Sequence, residues 1–309
     1  MTIPQNPNVS ALVGALVADA ATLGLHWIYD PLRIAEACAS APAFTPIDAK
    51  HYHGVPSYFA HGARKDGDLS QYGEVLALAM RSIGDEGRFD QTVFQDAYLA
   101  HFGPGGSYVG YIDRPTRGTL DNLAADKRNP SGVEDDQLPA LATLPAVVAR
   151  YRKDAAFQTQ VHSAIRVTNV DKTAEHYGRI FANMLDDVLS GTALRDALAR
   201  TALEDPLLQA SLDTPETNSV TYGETTGRAC HLHQGMPLAF HILKHATSYA
   251  SAIETNILAG GDSCGRAIII GSLAGSAFGL NAIPLEWTLA TNNAAAFLTA
   301  AEKIVSLSE

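Results

Sequence analysis

An unbroken apolar run of 14 residues, AIIIGSLAGSAFGL at 267–280, limits most strongly what this chain can fold into. A membrane span needs about 20 apolar residues, so this run is typical of a helix buried in a globular core. The segment Gly260–Arg266, GGDSCGR, comes directly before it and places ionisable groups at the first turn of that helix, where such groups are often functional. The structural alternative is a Gly-Gly turn, a helix cap by Asp262 or Ser263, and an ion pair between Arg266 and Asp262.

Glycines give the apolar run a face that a second helix can approach closely. Gly271, Gly275 and Gly279 lie four residues apart, on one side of a helix, where no side chain keeps a neighbouring backbone away. The segment 11–27, ALVGALVADAATLGLHW, is nearly as apolar and carries Gly14 among alanines. We therefore expect these two helices, from opposite ends of the chain, to cross at the centre of the fold.

Helical spacing continues through most of the remaining chain. Apolar residues recur at i, i+3, i+4 and i+7 in further segments, and no segment shows sustained alternation with a period of two. These segments are 71–83, 89–102, 138–151, 176–191 and 233–246. There is neither a repeat of fixed period nor a low-complexity linker. The sequence predicts an all-α fold of about a dozen helices, in a single compact domain spanning residues 1–309.

Charge and cysteine content limit the partners and the compartment. The chain has 309 residues, a formal net charge of −11 and no basic run, which argues against nucleic acid or an anionic membrane surface as its main partner. Its three cysteines, Cys38, Cys230 and Cys264, are widely spaced and odd in number, which favours free thiols in a reducing compartment. No basic leader precedes the first apolar segment, so we expect a cytoplasmic protein without a signal peptide.

Four long loops rich in Gly, aromatic and charged residues interrupt the helices, at 40–70, 103–118, 126–137 and 211–228. Because long structured loops on a rigid scaffold usually carry function, we expect them to share one site. The second loop, GPGGSYVGYIDRPTRG, predicts a backbone cradle for phosphate with aromatic rings for a base and two arginines as phosphate partners; a plain surface turn is the alternative. The residues concerned are Gly105, Gly106, Ser107, Tyr108, Tyr111, Arg114 and Arg117.

Ordered motifs across nearly the whole chain resemble the ADP-ribosylglycohydrolase family, which includes the J1 crystallins. GALVADAATLG resembles the family's small-residue helix carrying an Asp, here Asp19, and KDGDLSQYGEVLALAM resembles its Thr-Asp-Asp-Thr stretch. The segment from GGDSCGR to IPLEW resembles the C-terminal core, where the family reads Gly-Gly-Asp-Thr-Asp-Thr or Ser. The resemblance implies the all-α fold of that family and two divalent cations that assist cleavage of an ADP-ribosyl glycosidic bond.

The sequence departs from the family at positions that the resemblance assigns to metal ligands. The Thr-Asp-Asp-Thr stretch falls on residues 67–70, GDLS, where Asp68 remains but Leu69 replaces the second carboxylate. In the C-terminal motif Asp262 remains, but Cys264 stands at the next ligating carboxylate. Two Mg²⁺ ions want about six oxygen ligands each, more than these motifs retain. We therefore expect at most one Mg²⁺, held by Asp68 and Asp262.

Two further residues complete the predicted catalytic set of Asp68, Asp262, Arg266 and Asp136. Arg266 lies one turn after Asp262 and is a candidate replacement for the lost cation, or else a structural ion-pair partner. Asp136 ends a run of three acids before a helix, so it is either a helix cap or a general acid or acceptor for a ribose hydroxyl. The predicted substrate-binding set is Gly105, Gly106, Ser107, Tyr108, Tyr111 and Asp19.

These assignments lead to three hypotheses about function. The first is a divergent hydrolase of a glycosidic bond in a small ADP-ribose-like, nucleoside-containing or ADP-ribosylated substrate, with a reduced or lost metal site. The second is an inactive ligand-binding or crystallin-like structural protein, and the third uses Cys264 as a covalent nucleophile. The histidines have no metal-binding spacing and form no evident convergent set with cysteine, so we expect hydrogen-bonded loop or core roles for most of them.

Overall fold

The computed structural model describes residues 6–38 and 41–308, and within them it is helical without any β-sheet. Sixteen α-helices are present in these ranges, which confirms the predicted fold class but exceeds the predicted dozen. They are α1 (Pro7–Thr22), α2 (Pro31–Cys38), α3 (Gln71–Glu86), α4 (Gln91–Phe102), α5 (Arg114–Ala124), α6 (Leu144–Tyr151), α7 (Phe157–Thr168), α8 (Lys172–Leu189), α9 (Leu194–Ala202), α10 (Pro206–Asp213), α11 (Ser219–Thr226), α12 (Leu232–His245), α13 (Tyr249–Ala259), α14 (Ser263–Phe278), α15 (Leu285–Ala290) and α16 (Ala294–Ser306).

Several predicted boundaries are wrong. The predicted helix 138–151 consists of a 3₁₀ turn, Leu138–Leu141, followed by α6, because prolines interrupt its first half. The predicted loop 211–228 contains α11, and α5 begins inside the predicted loop 103–118 at Arg114, where Asp113 caps it. In each case a local proline or cap decided the boundary.

The predicted crossing of α1 and α14 is confirmed and forms the centre of the core. A Cβ atom on Gly14 would lie 2.6 Å from the carbonyl oxygen of Gly271, and one on Gly275 would lie 2.3 Å from that of Ser10. The two backbones are therefore in direct contact. Gly279 does not take part; it ends α14 with a φ of 85° instead.

The N-terminal helical segment is apolar enough to resemble a membrane span. By length and composition Pro7–Leu25 would qualify, but 94% of it is buried inside this protein. A core helix passes the same test, and the contact with α14 accounts for its apolar character.

A left-handed Gly-Gly turn positions the start of α14. Gly260 and Gly261 have φ values of 72° and 66°, and Gly261 exchanges backbone hydrogen bonds of 2.8 Å with Trp27 and Ile28. A Cβ atom on Gly261 would lie 2.0 Å from the carbonyl oxygen of Arg228, so only glycine fits there. The turn therefore joins the segment after α1 to the first residues of α14.

Candidate active site around Asp262

Asp262 is fully buried, and protein donors occupy both of its carboxylate oxygens. Oδ1 accepts hydrogen bonds from the backbone N–H of Gly265 and from Nε2 of His26, both at 2.9 Å, and Oδ2 accepts one from the Tyr72 hydroxyl at 2.6 Å. Burial opposes ionisation, but the hydrogen bonds from His26, Tyr72 and the Gly265 N–H hold the pKa of Asp262 below its usual value. The predicted helix cap is confirmed, and the carboxylate is ionised.

Two histidines extend this arrangement away from Asp262. Nδ1 of His26 lies 2.7 Å from Nε2 of His61, while Nδ1 of His61 is buried and has no hydrogen-bond partner among the described residues. Burial lowers the pKa of His61 well below its usual value, so its ring is neutral. In the tautomer in which His26 donates from Nε2 to Asp262, its Nδ1 accepts from His61 Nε2, which leaves a lone pair on His61 Nδ1.

A second buried carboxyl group lies in the same electrostatic neighbourhood. Asp113 accepts hydrogen bonds of 2.8 Å from Gln71 Nε2 and from the backbone N–H of Thr116, and burial raises its pKa to about 6. Burial and the charges of Asp262 and Asp113 raise the pKa of Tyr72 well above its usual value. The pKa of Asp262 is lowered and that of Asp113 is raised, and the charges of both affect the Tyr72 hydroxyl. Two nearby carboxyl groups with opposite pKa shifts are typical of acid and base pairs.

Aromatic rings connect the histidine pair to the surface. The Trp27 ring stacks on His26 with centroids 4.2 Å apart and meets the ring of Tyr111 edge-on at 4.9 Å. Tyr58 packs against both Trp27 and Tyr111, at 5.7 and 5.6 Å, and is 54% exposed. The polar centre thus lies behind an aromatic wall, to which the predicted residue Tyr111 belongs.

Arg266 does not neutralise Asp262 through a side-chain ion pair, so that part of the prediction is wrong. Its guanidinium donates to Asn256 Oδ1 at 2.9 Å, to the carbonyl oxygen of Arg228 at 3.3 Å and to that of Gly260. Burial lowers the pKa of Arg266 to about 10, which still leaves it charged near neutral pH. The carbonyl oxygen of Gly260, the first residue of the Gly-Gly turn, accepts from this charge, so Arg266 helps to hold the turn in place.

Asp68 lies apart from Asp262, contrary to the predicted shared metal site. It accepts hydrogen bonds of 2.9 Å from the backbone N–H of Lys65 and from Asn292 Nδ2, and lies 3.8 Å from Arg64 Nε. None of these residues contacts Asp262. Because His26, Tyr72 and the helix start already occupy the Asp262 oxygens, the residues present do not fit the oxygen-ligated two-cation centre of the family.

Asp19 is connected to the segment after Asp68. Its two oxygens accept hydrogen bonds from the backbone N–H and the hydroxyl of Ser70, at 2.7 and 2.5 Å, and its exposed fraction is 0%. Burial raises the pKa of Asp19 to about 7. Asp19 therefore ties α1 to the start of α3, and its predicted substrate-binding role stays a prediction.

Two backbone N–H groups of the Gly-rich loop donate within the protein and so do not point to a phosphate. Gly106 N–H donates to Gly103 at 2.9 Å and Tyr108 N–H donates to His101 at 3.0 Å, while the Ser107 hydroxyl lies 2.7 Å from His101 Nδ1. Gly105 has a φ of 77° and completes an exposed turn. These contacts favour the alternative of a surface turn, and the phosphate cradle stays a prediction.

The side chains predicted to contact a base or a phosphate from this loop also have partners within the protein. Tyr108 is buried and donates to the carbonyl oxygen of Tyr111 at 3.0 Å. Arg114 forms an ion pair of 2.7 Å with Asp135, and Arg117 donates to the carbonyl oxygen of Ile112. These side chains hold the loop against α5 and leave Tyr111 facing the aromatic wall.

Cys264 and Asp136 behave differently from the prediction. Cys264 is fully buried, and burial raises the pKa of its thiol well above the usual value, so it is protonated and unsuited to act as a nucleophile.

Asp136 accepts a hydrogen bond from His231 Nδ1 at 2.7 Å and lies 3.4 Å from His233 Nδ1. Convergent sets of ligand atoms therefore exist, contrary to expectation: His26 with His61 and Cys264, and Asp136 with His231 and His233.

Comparisons with known proteins decide the family. The sequence model of the ADP-ribosylglycohydrolase family matches residues 6–309. The chain belongs to this family. This ADP-ribosylglycohydrolase family member is similar to crystallin J1A of Tripedalia cystophora, with 26% identity over 96% of this chain and 95% of the crystallin. Crystallin J1B of the same organism is 24% identical over 96% of both chains.

A solved structure confirms the fold of this family member. The chain of an ADP-ribosylglycohydrolase-related protein complex superimposes with a TM-score of 0.73 and 19% identity, covering 99% of both chains. The resemblance that the sequence motifs predicted is thus confirmed over nearly the whole length.

Sequence reasoning missed the partners that surround Asp262, above all His26 and Tyr72. Both follow motif residues closely: His26 interrupts the apolar segment 11–27, and Tyr72 comes two residues after Ser70. An imidazole inside an otherwise apolar segment must find a buried partner, which was the available signal. Which partner it finds is not encoded locally.

Proposed function

We propose that this family member hydrolyses a glycosidic bond of an ADP-ribose-like or other nucleoside-containing substrate without the two-cation centre. The observation that carries the proposal is the buried Asp262 carboxylate, which is ionised and held by His26, Tyr72 and the start of α14. Glycosidic cleavage passes through a transition state in which the sugar gains positive charge. A fixed buried carboxylate stabilises such charge without having to reorganise.

The histidine pair supplies the proton transfer in this proposal. As the bond from the sugar to its leaving group breaks, a water oxygen bonds to the anomeric carbon and loses one proton. His61, neutral and with an unpaired Nδ1, accepts that proton, and the ionised Asp262 stabilises the resulting positive charge through His26 and the hydrogen bonds of 2.7 and 2.9 Å. Asp113, whose pKa is about 6, protonates the leaving group.

The aromatic wall supports a substrate with a planar base. Trp27, Tyr58 and Tyr111 lie between the histidine pair and the surface, and Tyr58 is the most exposed of the three rings. Aromatic faces stack on nucleobases without needing a charged partner. A small nucleotide-containing ligand fits this wall and the acidic chain better than a nucleic acid, whose phosphates the net charge of −11 repels.

A non-catalytic, crystallin-like role is the second candidate, and one observation favours it. His26 and Asp262 are at most 1% exposed, and every Asp262 oxygen is already bonded within the protein. The curated relatives that match over nearly the full length are named crystallins. In this case the same hydrogen bonds serve only to stabilise the core.

Hydrolysis assays separate the two candidates. Substrates with an N-glycosidic bond, ADP-ribosyl-arginine, and an O-glycosidic bond, ADP-ribosyl-serine, are incubated with the protein in EDTA or Mg²⁺, and released ADP-ribose is quantified. We expect turnover in EDTA that Mg²⁺ does not raise, and a loss of about 100-fold or more in His26→Gln. Asp68→Asn, a surface carboxylate, is the matched control and stays near wild type.

The other outcomes are informative as well. Turnover that requires Mg²⁺ would contradict the metal-free mechanism. No turnover of either substrate, together with a raised melting temperature in ADP-ribose, would indicate the ligand-binding form of the second candidate. No turnover and no change in melting temperature would indicate a structural role instead.

A further inference from the structure

We propose that Asp136, His231 and His233 form a binding site for a divalent transition-metal ion such as Zn²⁺, separate from Asp262. Nδ1 of His231 and Nδ1 of His233 lie 2.7 and 3.4 Å from the two oxygens of Asp136. The three ligand atoms lie within 4.8 Å of one another. Two imidazoles and one carboxylate suit zinc and related metals better than magnesium, which prefers oxygen alone.

The spacing of these atoms is close to what a shared metal ion requires. Zinc bonds of about 2.0–2.1 Å at tetrahedral angles place neighbouring ligand atoms about 3.3 Å apart. The distances of 2.7 and 3.4 Å in the structure lie on either side of that value. Both histidines direct the same ring atom at the same carboxylate, so small side-chain rotations bring all three onto one ion.

The backbone holds the three ligands in this arrangement. The N–H of Leu232 donates to the carbonyl oxygen of Asp136 at 2.9 Å, and the N–H of Leu138 donates to that of Cys230 at 2.9 Å. These two bonds pair the segment before the 3₁₀ turn with the segment that starts α12. A site held by paired backbone needs little rearrangement on binding, which favours affinity.

The site is open to solvent, so a metal can enter and keep a free position. The side chains of Asp136, His231 and His233 are 28%, 43% and 48% exposed. Three protein ligands leave the fourth tetrahedral position to water or to an oxygen of a bound molecule. Leu138 also packs against Gly265, the residue whose N–H donates to Asp262, so the metal would lie beside the candidate active site.

Another cluster and another pair of possible ligands among the described residues fit a metal less well. His26 and His61 share a ring contact of 2.7 Å, and His26 is committed to Asp262, so neither ring is free to turn toward Cys264. His162 and Glu175 form a single pair at 3.4 Å without a second imidazole aimed at it. The second pair is useful as a control.

Cobalt and zinc titrations of the full chain test the proposal. Protein freed of metal with EDTA is titrated with Co²⁺, whose visible absorption reports nitrogen and oxygen ligation, and Zn²⁺ is then added as a competitor. We expect one saturable site that Zn²⁺ displaces, and affinity lowered at least about tenfold in His233→Ala and in Asp136→Asn. His162→Ala, which also removes an exposed histidine beside a carboxylate, keeps the wild-type affinity.

Three outcomes would overturn the site. These are the absence of saturable Co²⁺ absorption, equal affinity in His233→Ala and wild type, and loss of binding in Cys264→Ser with retention in Asp136→Asn. Circular dichroism and melting temperatures in EDTA check that each variant is folded, so a loss of binding reports the ligands. None of these measurements depends on hydrolytic activity, and they stand or fall independently of the proposed function.

Discussion

Asp262 and Asp68 come from two acidic motifs that looked equivalent, yet the fold treats them in opposite ways. Asp262 is buried and receives three hydrogen bonds from distant and local donors, whereas Asp68 lies at the surface with Lys65 and Asn292. A carboxylate whose oxygens are all hydrogen-bonded within the protein is part of the core. A carboxylate at the surface can be substituted with less effect on stability. A residue that is retained from a family motif therefore does not always keep the same surrounding side chains.

The largest expected difference is in stability. Asp262→Asn removes the charge that accepts hydrogen bonds from His26 and Tyr72, and we expect it to lower the free energy of unfolding by about 3 kcal/mol or more. Asp68→Asn changes a partly exposed group, and we expect a change of about 0.5 kcal/mol or less. Urea unfolding of both variants measures the difference. Equal losses of unfolding free energy in the two variants would contradict the expected difference between Asp262 and Asp68.

Removing one hydrogen-bond donor to each carboxylate tests the same difference between Asp262 and Asp68. Tyr72→Phe deletes a buried hydroxyl that bonds Asp262 at 2.6 Å, and Asn292→Ala deletes an amide that bonds Asp68 at 2.9 Å. A buried hydrogen bond to a charged group contributes about 1.5–3 kcal/mol, and an exposed one contributes less. We therefore expect the larger melting-temperature decrease in Tyr72→Phe. A larger decrease in Asn292→Ala would show that the surface site is the stabilising one.

The pH dependence of stability distinguishes Asp19 from Asp262. The pKa of Asp19 is raised to about 7, so its contribution to stability is fully present below pH 3.8 and is lost as the pH rises through about 7. The pKa of Asp262 is lowered, so its contribution is present above 3.8 and is lost as the pH falls. We expect Asp19→Asn to reduce the decline in unfolding free energy between pH 4 and 7 relative to wild type.

Unfolding curves for wild type and Asp19→Asn at several pH values between about 4 and 8 test this prediction, since other groups titrate in both proteins alike. If the difference between the two proteins is constant across that range, Asp19 is not ionising with a raised pKa. The deciding quantity is whether the difference in unfolding free energy between the two proteins changes with pH, and in which direction.

The smallest expected effect is that of Mg²⁺ itself. Because the oxygens of Asp262 are occupied and Asp68 lies elsewhere, we expect millimolar Mg²⁺ to change the melting temperature by less than about 1 °C relative to EDTA. A concentration-dependent rise that Asp262→Asn abolishes would restore a magnesium site and remove the contrast between the two motifs.

Local chemistry made parts of this molecule predictable. The period of 3.6 residues specified helices, and the small residues around Gly14 and Gly271 specified the crossing of α1 and α14. Asp262 was recognisable as a helix cap from its place before an apolar run. The failure concerns Arg266, where backbone groups of the same fold took the hydrogen bonds that a carboxylate was expected to take.

The sequence by itself determined the helical class, the central helix pair and the family, because these depend on periodicity, residue size and ordered motifs. Only the tertiary structure decided that His26 meets Asp262 across 236 residues and that Asp136 meets His231 across 95. A buried polar group must be paired, but any compatible donor satisfies that requirement. The choice of partner follows from which segments the packed helices bring together, and that choice decides the chemistry.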